Sequence, residues 1–396
     1  MGTSVIQPAE APPAQELPVL RLPFDPLLTL AVIGLGVCSI VTLSAATSDL
    51  VPGQPRFYVD RQLTYLIAGA LLMLVFSRLD YARLRHFKYG IYGALMLSIL
   101  AVLGLGHTAR GSQRAINFPF FSFQASELGK VLLIVALAAF VVDRARHLRE
   151  RDTTARVLLA AIVPAMFVIA QPDLGSGMVY MVIALTLLFV AGVSWKHFAA
   201  LLAVGLVAIA FVLAAAPAAG VHVLKPYQVD RLTAFLHPTN DPRKQGYQQQ
   251  ESKIAIGSGQ KTGRGVNSTQ TRLNFVPEDH TDFIFAAVGE QYGFVGAAFL
   301  LSLYALLIWR ALRILTMAKD LFGSLVAGGV VAMLMFQVFV NVGMTIGIMP
   351  ITGVTLPLMS YGGSSVITTL LAVGLLQSIY VQARASEALK GRIPLY

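Results

Sequence analysis

Charged residues are scarce in this sequence, and their scarcity indicates the class of protein. Asp, Glu, Lys and Arg make up 13% of the 396 residues and hydrophobic residues 56%, whereas a soluble domain carries about 25% charged residues. Long apolar runs recur along the chain, and each could cross about 30 Å of hydrocarbon as a helix. Because a spanning backbone must satisfy its own hydrogen bonds, we expect an all-α, polytopic membrane protein.

Cysteine is almost absent as well. Cys38 is the single cysteine and lies in the first apolar run, which excludes a disulfide within the chain and a cysteine-based metal site. The net charge of +10 could suggest a nucleic-acid partner. Most basic residues, however, fall in short segments between apolar runs, where they orient a membrane protein. We therefore expect no nucleic-acid partner.

The apolar runs predict about ten transmembrane helices. They lie near residues 27–46, 62–79, 88–107, 127–143, 156–172, 174–193, 197–219, 283–309, 323–349 and 361–383. The polar, proline-rich residues 1–26 are expected to form a disordered cytoplasmic tail, and residues 385–396 a short cytoplasmic tail. Residues 220–282 are expected to form a large extracytoplasmic loop between spans seven and eight.

Lysine and arginine in the short loops predict this orientation. With ten spans, the loops after spans two, four and eight share one side with the C-terminal tail. Their basic residues are Arg78, Arg83, Arg85, Lys88, Arg144, Arg146, Arg149, Arg151, Arg156, Arg310, Arg313, Lys319, Arg384, Lys390 and Arg392. Both termini are therefore expected in the cytoplasm. The charge of the long segment does not alter this, because long loops translocate largely regardless of charge.

Ionisable groups at the edges of spans are the first candidates for function. Each costs about 2.5–3.5 kcal/mol at a helix centre, so most are paired or functional. In "FQASELGK", Glu127 and Lys130 share a helix face and can pair. They could form a structural ion pair or the charged wall of a polar cavity. In "QPDLGSG", Asp173 could cap the helix that follows or belong to a polar site at the outer mouth.

The long outer segment is unexpectedly basic. It contains Lys225, Arg231, Arg243, Lys244, Lys253, Lys261 and Arg264. This pattern suggests an anionic ligand such as a phosphate or pyrophosphate, and the alternative is a solvated surface facing lipid headgroups. "GSGQKTG" in this segment is not a phosphate-binding loop, because it lacks the Gly-Lys pair and follows no predicted strand.

Two stretches near the last three spans are the remaining candidates. In "NFVPEDHTDFIFAAVGE", His280 and Asp282 directly precede span eight. A carboxylate between low dielectric and water can acquire the pKa of a useful base, although an acid at a helix start is the simpler explanation. "MPITGVTLPLMSYGGSS" predicts a broken loop that must be buried or line a cavity, with the Ser360 and Ser364 hydroxyls facing that cavity.

The motifs "PEDHTDFIFAAVGE", "LPLMSYGGSS" and "FQASELGK", together with ten spans, resemble the SEDS family, which includes RodA, FtsW and SpoVE. The resemblance covers residues 27–384. "LKPYQVDRL", "ESKIAIGSG" and "NVGMTIGIMPITGVTLP" resemble RodA, the elongation member, more than FtsW, the division member. The chain departs from the family pattern at three positions. Ala115 replaces an expected Trp, Ala125 a usual Pro, and Asn274 an often acidic residue.

The resemblance implies a peptidoglycan glycosyltransferase that polymerises lipid II on the outer face of the bacterial cytoplasmic membrane during elongation and shape maintenance. It also implies a class B penicillin-binding protein and other elongation-complex membrane proteins as partners. By the family match, Asp282 is the expected catalytic residue. The residues expected to bind substrate are Glu127, Lys130, Asp173, Arg114, Lys225, Arg231, Lys253, His280, Ser360 and Ser364.

A divalent cation, Mg²⁺ or Mn²⁺, is expected as cofactor because the charge of a pyrophosphate leaving group must be stabilised. The sequence does not identify its ligands. Two other functions stay open, a lipid II flippase and a non-catalytic scaffold of the wall-synthesis complex. Clustering of polar groups towards the predicted outer half favours chemistry at that face, and the complete His-Thr-Asp motif favours an enzyme over a scaffold.

Overall fold

The computed structural model describes residues 24–48, 50, 53–105, 107–109, 112–117, 121–147, 150–211, 235, 245–265, 268–271, 275 and 280–390. Within these ranges the chain is mostly helical. The α-helices, in chain order, are α1 Pro26–Ala46, α2 Phe57–Arg78, α3 Tyr81–Leu84, α4 Lys88–Leu105, α5 Ala125–Asp143, α6 Arg151–Ala170, α7 Leu174–Val190, α8 Trp195–Ala210, α9 Gln245–Ser258, α10 Ile284–Met317, α11 Leu321–Ile346 and α12 Gly363–Lys390.

The prediction of an all-α, polytopic membrane protein is confirmed. Among the described residues, eight helical segments are long and apolar enough to cross a membrane, and α7 is a shorter apolar helix of 17 residues. The predicted seventh span corresponds to α8, and its last predicted residues, 212–219, lie outside the described part of the chain.

Several predicted span edges are wrong because charged residues extend the helices beyond their apolar runs. α2 begins at Phe57 and includes Asp60, and α6 begins at Arg151 and includes Asp152. The C-terminal end of α10 also lies beyond the predicted edge near residue 309, because this helix continues to Met317. Long charged side chains can lie along a helix while their heads reach water, so apolar periodicity alone underestimates the length of such helices.

The predicted boundary of the N-terminal tail is also corrected. Asp25 is fully buried, and its side chain accepts hydrogen bonds from the backbone N–H groups of Leu27 and Leu28 at the start of α1. The same carboxylate is paired with Arg310 of α10, and the Asp25 N–H donates to Gln377 Oε1 at 2.7 Å. Asp25 is therefore held in the bundle, although it was predicted to belong to the tail. Residues 1–23 of the predicted tail lie outside the part of the chain that the structure describes.

A small antiparallel sheet between α4 and α5 was not predicted. Its strands are β1 His107–Ala109, β2 Ser112–Asn117 and β3 Ser122–Phe123, in the order β1-β2-β3. Ala115 pairs with His107 across the first two strands. The strands are too short and too polar to produce a recognisable period-two pattern.

Helix packing places α5, α11 and α12 in the interior, where most of each span is buried. α12 packs closely along α2, and Gly374 permits this approach. A Cβ atom at Gly374 would lie 2.8 Å from the Met73 carbonyl oxygen. Small residues at such positions allow membrane helices to pack by close backbone contact.

Alternating helix directions give the bundle two distinct ends. The site end comprises the N-terminal ends of α2, α5, α7, α10 and α12, together with the C-terminal end of α11. Side chains there contact one another across the bundle, as in the bonds from Ser126 to Asp173 and from Asn341 to the Asp282 backbone. The opposite end, called the basic end, contains the arginines and lysines of the short connections.

Candidate functional site

The backbone of Asp282 is fixed from inside the bundle. The Nδ2 group of Asn341 in α11 donates to the carbonyl oxygens of both Asp282 and Val354 at 2.8 Å. Asn341 is fully buried, whereas Asp282 is only partly buried. One amide therefore ties Asp282, two residues before α10, to the loop after α11.

The loop of residues 347–362 lies directly beside the His-Thr-Asp motif. Ser360 Oγ donates to the Thr281 carbonyl oxygen at 2.6 Å, and the Tyr361 N–H donates to the His280 carbonyl oxygen at 2.8 Å. The carboxylate of Asp282 lies over Gly353, whose φ is +75°. A Cβ atom at Gly353 would lie 3.3 Å from Asp282 Oδ2, so the glycine permits both the turn and the close approach.

The prediction of a broken, buried loop is confirmed, since residues 347–362 contain no helix or strand between α11 and α12. Side chains from three helices satisfy its carbonyl groups. Ser39 Oγ donates to Met359 O at 2.9 Å, Gln62 Nε2 to Ser360 O at 3.2 Å, and Tyr304 OH to Pro357 O at 2.5 Å. Such contacts allow irregular backbone inside a membrane domain, and here they fix the position of Ser360.

An aromatic cluster formed by Tyr58, His280 and Tyr361 includes the histidine two residues before Asp282. The ring centroid of Tyr58 lies 4.9 Å from those of His280 and Tyr361. Tyr361 precedes α12, and burial raises the pKa of its hydroxyl to about 12. Tyr361 therefore remains a neutral hydroxyl at physiological pH and is not a candidate base.

Asp173 performs the capping role that its position suggested and makes further contacts. Its Oδ1 accepts from the Ser176 N–H at 3.1 Å at the start of α7. Its Oδ2 accepts from Ser126 Oγ at 2.8 Å and from Gln124 Nε2 at 3.2 Å. The Gln124 N–H in turn donates to Ser364 Oγ at 2.9 Å. Two predicted substrate-binding residues, Asp173 and Ser364, are thus joined through Gln124; substrate contact by either stays a prediction.

The predicted pair of Glu127 and Lys130 is formed. Lys130 Nζ donates to Glu127 Oε1 at 2.5 Å. Lys130 is 1% exposed and Glu127 4% exposed, so neither charge lies on an open surface. Burial of this depth favours the structural ion pair over the charged wall of an open cavity. Contact with substrate stays a prediction.

The predicted basic residues of the long outer segment are only partly described. α9 of this segment packs on the end of α11, where Ser252 Oγ donates to the Thr345 carbonyl oxygen at 2.8 Å. Lys253 is exposed, and its side chain passes over Gly347 at the C-terminus of α11. A cation there also stabilises the helix dipole. Lys225 and Arg231 lie outside the described residues, and Arg114 is described only as part of β2.

α10 contains a break that its apolar sequence does not reveal. Gly293 has φ +62° and ψ −159°, which interrupts the helix. The turn after α9 fills the break, because the N–H groups of Phe294 and Val295 donate to the carbonyl oxygens of Gln260 and Lys261 at 2.9 and 3.0 Å. The rejected phosphate-loop motif "GSGQKTG" overlaps this turn. A Cβ atom at Gly259 or Gly263 would clash with the carbonyl oxygen of Gly289 or Gln291, so these two glycines serve close packing.

Glu290 fixes the segment that leads towards Asp282. This residue is fully buried in α10, and its carboxylate accepts hydrogen bonds from the N–H groups of Thr269, Gln270 and Thr271 at 2.8, 2.8 and 2.9 Å. Three donors on one carboxylate hold residues 269–271 against α10. Glu290 is therefore a positioning residue for residues 269–271, and the sequence pattern did not reveal this role.

Replacing Glu290 by Ala should destabilise the protein by about 3 kcal/mol or more, because it removes a buried charged acceptor and leaves one buried and two part-buried N–H groups without it. Residues 268–271 should also exchange their amide hydrogens faster. Thermal unfolding and hydrogen exchange in detergent measure both effects. The control is Glu387→Ala, since Glu387 is an exposed acid. Unchanged exchange at 268–271 in Glu290→Ala would contradict the positioning role.

The described residues do not form a resident metal site. Among them, no group of three or more His, Cys, Asp or Glu side chains could hold an ion. Asp282 is the one carboxylate that the described part of the His-Thr-Asp segment contributes; Glu278 and Asp279 lie outside the description. Mg²⁺ commonly takes one or two carboxylates and completes its shell with substrate phosphates and water. A cation arriving with a pyrophosphate is compatible with this arrangement, and the divalent cation stays a prediction.

Comparison with known proteins gives the family. The family model described as cell cycle protein, for FtsW, RodA and SpoVE, matches residues 24–385. The chain belongs to the SEDS family. A Thioalkalivibrio sulfidiphilus relative, named as a probable peptidoglycan glycosyltransferase FtsW, is 36% identical over 377 residues, covering 93% of this chain and 91% of the relative. The Escherichia coli relative, named peptidoglycan glycosyltransferase MrdB, is 35% identical over 367 residues, covering 92% of this chain and 95% of the relative.

One solved structure is similar over almost its whole length. It comes from a peptidoglycan synthase complex described as coordinating polymerization and crosslinking. The TM-score is 0.74 and the identity 32%, with 91% of this chain and 98% of the solved chain covered. The FtsW and MrdB relatives are 36% and 35% identical to this SEDS protein, so overall identity does not rank one clearly above the other. The likeness to RodA in particular stays a prediction from the motifs.

Proposed function

We propose that this protein is a peptidoglycan glycosyltransferase that polymerises lipid II, an undecaprenyl-diphosphate-linked disaccharide-peptide, into glycan strands. Two curated relatives covering more than nine tenths of the chain carry that activity in their names. The structural observation that carries the proposal is the setting of Asp282. Its backbone is fixed by buried Asn341, and its carboxylate lies against the loop at Gly353, at the end of the bundle that also contains Asp173 and Ser364.

The reaction requires one base. The donor sugar is α-linked to a lipid pyrophosphate and the product linkage is β, so inversion in a single displacement is the simplest path. Asp282 takes the proton of the acceptor 4-hydroxyl as its oxygen bonds to the donor anomeric carbon. The bond from that carbon to the pyrophosphate oxygen breaks, and its electron pair leaves with the pyrophosphate. A pyrophosphate is a good leaving group, so a strong general acid is unnecessary.

The pyrophosphate charge must be stabilised as that bond breaks. Basic residues of the outer segment are proposed for this task, with a divalent cation if one enters with the substrate. Of the three basic residues of this segment that are predicted to bind substrate, Lys253 is the one that the structure describes, and it lies at the site end beside the C-terminus of α11. Lys225 and Arg231 complete the set by sequence.

The orientation proposed from the positive-inside rule places the site end outside the cytoplasmic membrane and the basic end in the cytoplasm. The lipid tail then remains in the bilayer while the sugars reach Asp282. A class B penicillin-binding protein is the proposed crosslinking partner, because the similar solved chain belongs to a complex that coordinates polymerization and crosslinking. The proposed role in elongation and cell shape rests on the RodA-like motifs.

A flippase is the principal alternative, and the positions of the buried charges favour the enzyme. Among the described residues, the fully or nearly fully buried acids and bases are Asp25, Glu127, Lys130, Asp173 and Glu290. Asp25 lies at the basic end, and the others lie at the N-cap or within the first two turns of helices at the site end. In the described part of the chain, the buried charges therefore lie in two groups, one at each end of the bundle. No buried acid or base of the described residues lies between the two groups, as a charged path through the bilayer would require.

The test is polymerisation of purified lipid II by the purified protein in detergent, with and without the cognate transpeptidase. We expect glycan strands in the presence of the partner, detected as a ladder that a muramidase digests. Detergent micelles have no second compartment, so a flippase would produce nothing in this assay. Failure of the folded complex to make glycan would contradict the proposed function.

A further inference from the structure

A cleft at the basic end has no role in the proposed reaction. It has a volume of about 840 Å³ and lies between the first turns of α6 and α8, beside the connection that follows α7. Arg151, Thr154 and Leu158 line one wall, and His197 and Leu201 belong to the other. This end is opposite to Asp282, so the cleft is distinct from the candidate active site.

The lining of the cleft changes from cationic to apolar with depth along the helices. Arg151 and Lys196, each in the first turn of its helix, are exposed at the mouth. Thr154 lies about one turn after Arg151, and His197 directly follows Lys196; Thr154 Oγ1 and His197 Nδ1 are 3.3 Å apart and connect the two helices. Beyond them the walls are apolar and include Leu158, Leu201 and Val204.

The two cations at the mouth are not neutralised by other described residues. Neither Arg151 nor Lys196 forms an ion pair with any residue in the described ranges, and the neighbouring Asp152 is engaged by Arg156 at 2.8 Å. The next residue to Lys196 is Trp195, which is 78% exposed. Exposed tryptophan and lysine are typical of the level of the lipid headgroups. The mouth of the cleft therefore lies where a headgroup phosphate would be found.

We propose that this cleft binds one anionic phospholipid from the leaflet at the basic end. The headgroup phosphate lies between Arg151 and Lys196, and an acyl chain follows Leu158, Leu201 and Val204. Basic pockets between membrane helices on the cytoplasmic side are suited to anionic headgroups. A soluble phosphate would use only the cationic mouth, whereas the apolar walls require a lipid. The bound lipid contacts both α6 and α8 and fills the cleft between them.

Native mass spectrometry of the detergent-solubilised full chain tests the proposal. The probes are phosphatidylglycerol and phosphatidylcholine with identical palmitoyl and oleoyl chains. The wild-type protein should retain one phosphatidylglycerol in preference to phosphatidylcholine. Each basic residue at an anionic surface is worth about a fivefold change in binding, so Arg151→Ala with Lys196→Ala should weaken that site about 25-fold.

Two control variants separate the cleft from general electrostatics and from the phosphate alone. Arg83→Ala with Arg384→Ala removes two exposed positive charges from the same end and should leave lipid binding unchanged. Ala200→Phe fills the apolar wall without changing charge and should weaken binding. Glycerol phosphate in excess should not displace the lipid. Equal retention of both lipids, equal losses in the two double variants, or displacement by glycerol phosphate would overturn the proposal.

Discussion

Replacing Asp282 by Asn should lower the kcat of lipid II polymerisation by about 10²- to 10⁴-fold, the range expected for loss of a general base. Asparagine has the same shape but does not accept a proton at neutral pH. The hydrogen bond from Asn341 goes to the backbone of residue 282, so the variant should fold and should bind its partner. The KM for lipid II should change much less than kcat. Steady-state polymerisation kinetics in detergent give both values.

The same stretch offers a matched control. Asp279 lies three residues before Asp282 in "PEDHTD", and the proposed reaction assigns it no part. Asp279→Asn should therefore retain most of the wild-type kcat. Asp282→Glu, which keeps a carboxylate but moves it, should retain more activity than Asp282→Asn. If the two Asp→Asn variants lose activity equally, the loss reflects the charge of the segment and the assignment of Asp282 as the base is wrong.

Replacing Lys130 by Met should destabilise the protein by about 3–5 kcal/mol, because it leaves the buried Glu127 carboxylate without its partner. Lys130 is 1% exposed and Glu127 4% exposed, so water cannot compensate for the lost cation. The double variant Glu127→Gln with Lys130→Met removes both charges and should recover most of this stability. Thermal unfolding of the wild type, both single variants and the double variant completes the cycle.

The double variant also distinguishes the two roles that the sequence leaves open for this pair. If Glu127 and Lys130 are a structural ion pair, the stable double variant should polymerise lipid II at close to the wild-type rate. A folded double variant with wild-type stability and a strongly reduced kcat would instead show that the charges act on the substrate. A double variant as unstable as Lys130→Met would contradict the ion-pair account of stability.

Local patterns in the sequence predicted much of the candidate site. Asp173 follows a proline and precedes a helical run, which is enough to predict a cap, and the structure shows that cap. Glu127 and Lys130 are three residues apart on one helix, so their pairing follows from helix geometry. The glycines and prolines of residues 349–365 indicate irregular backbone directly. Each of these features depends on residues that are close together in the chain.

The features that the sequence did not reveal depend on long-range contacts. Asp25 seemed part of a polar tail because its partner, Arg310, is 285 residues away. Glu290 lies within an apparently regular helical run, and its role requires the position of residues 269–271. In the sequence, Gly293 looks like an ordinary glycine within a helix. The break there depends on hydrogen bonds to the turn after α9, which the sequence does not show.

The most direct test of the central claim compares wild-type protein and Asp282→Asn side by side. Both are purified with the cognate transpeptidase and supplied with lipid II in detergent, and the muramidase-sensitive glycan is measured over time. We predict long strands from the wild type and at least about 100-fold less product from the variant. Equal glycan from both proteins would contradict the assignment of Asp282, and no glycan from the folded wild-type complex would contradict the proposed enzyme itself.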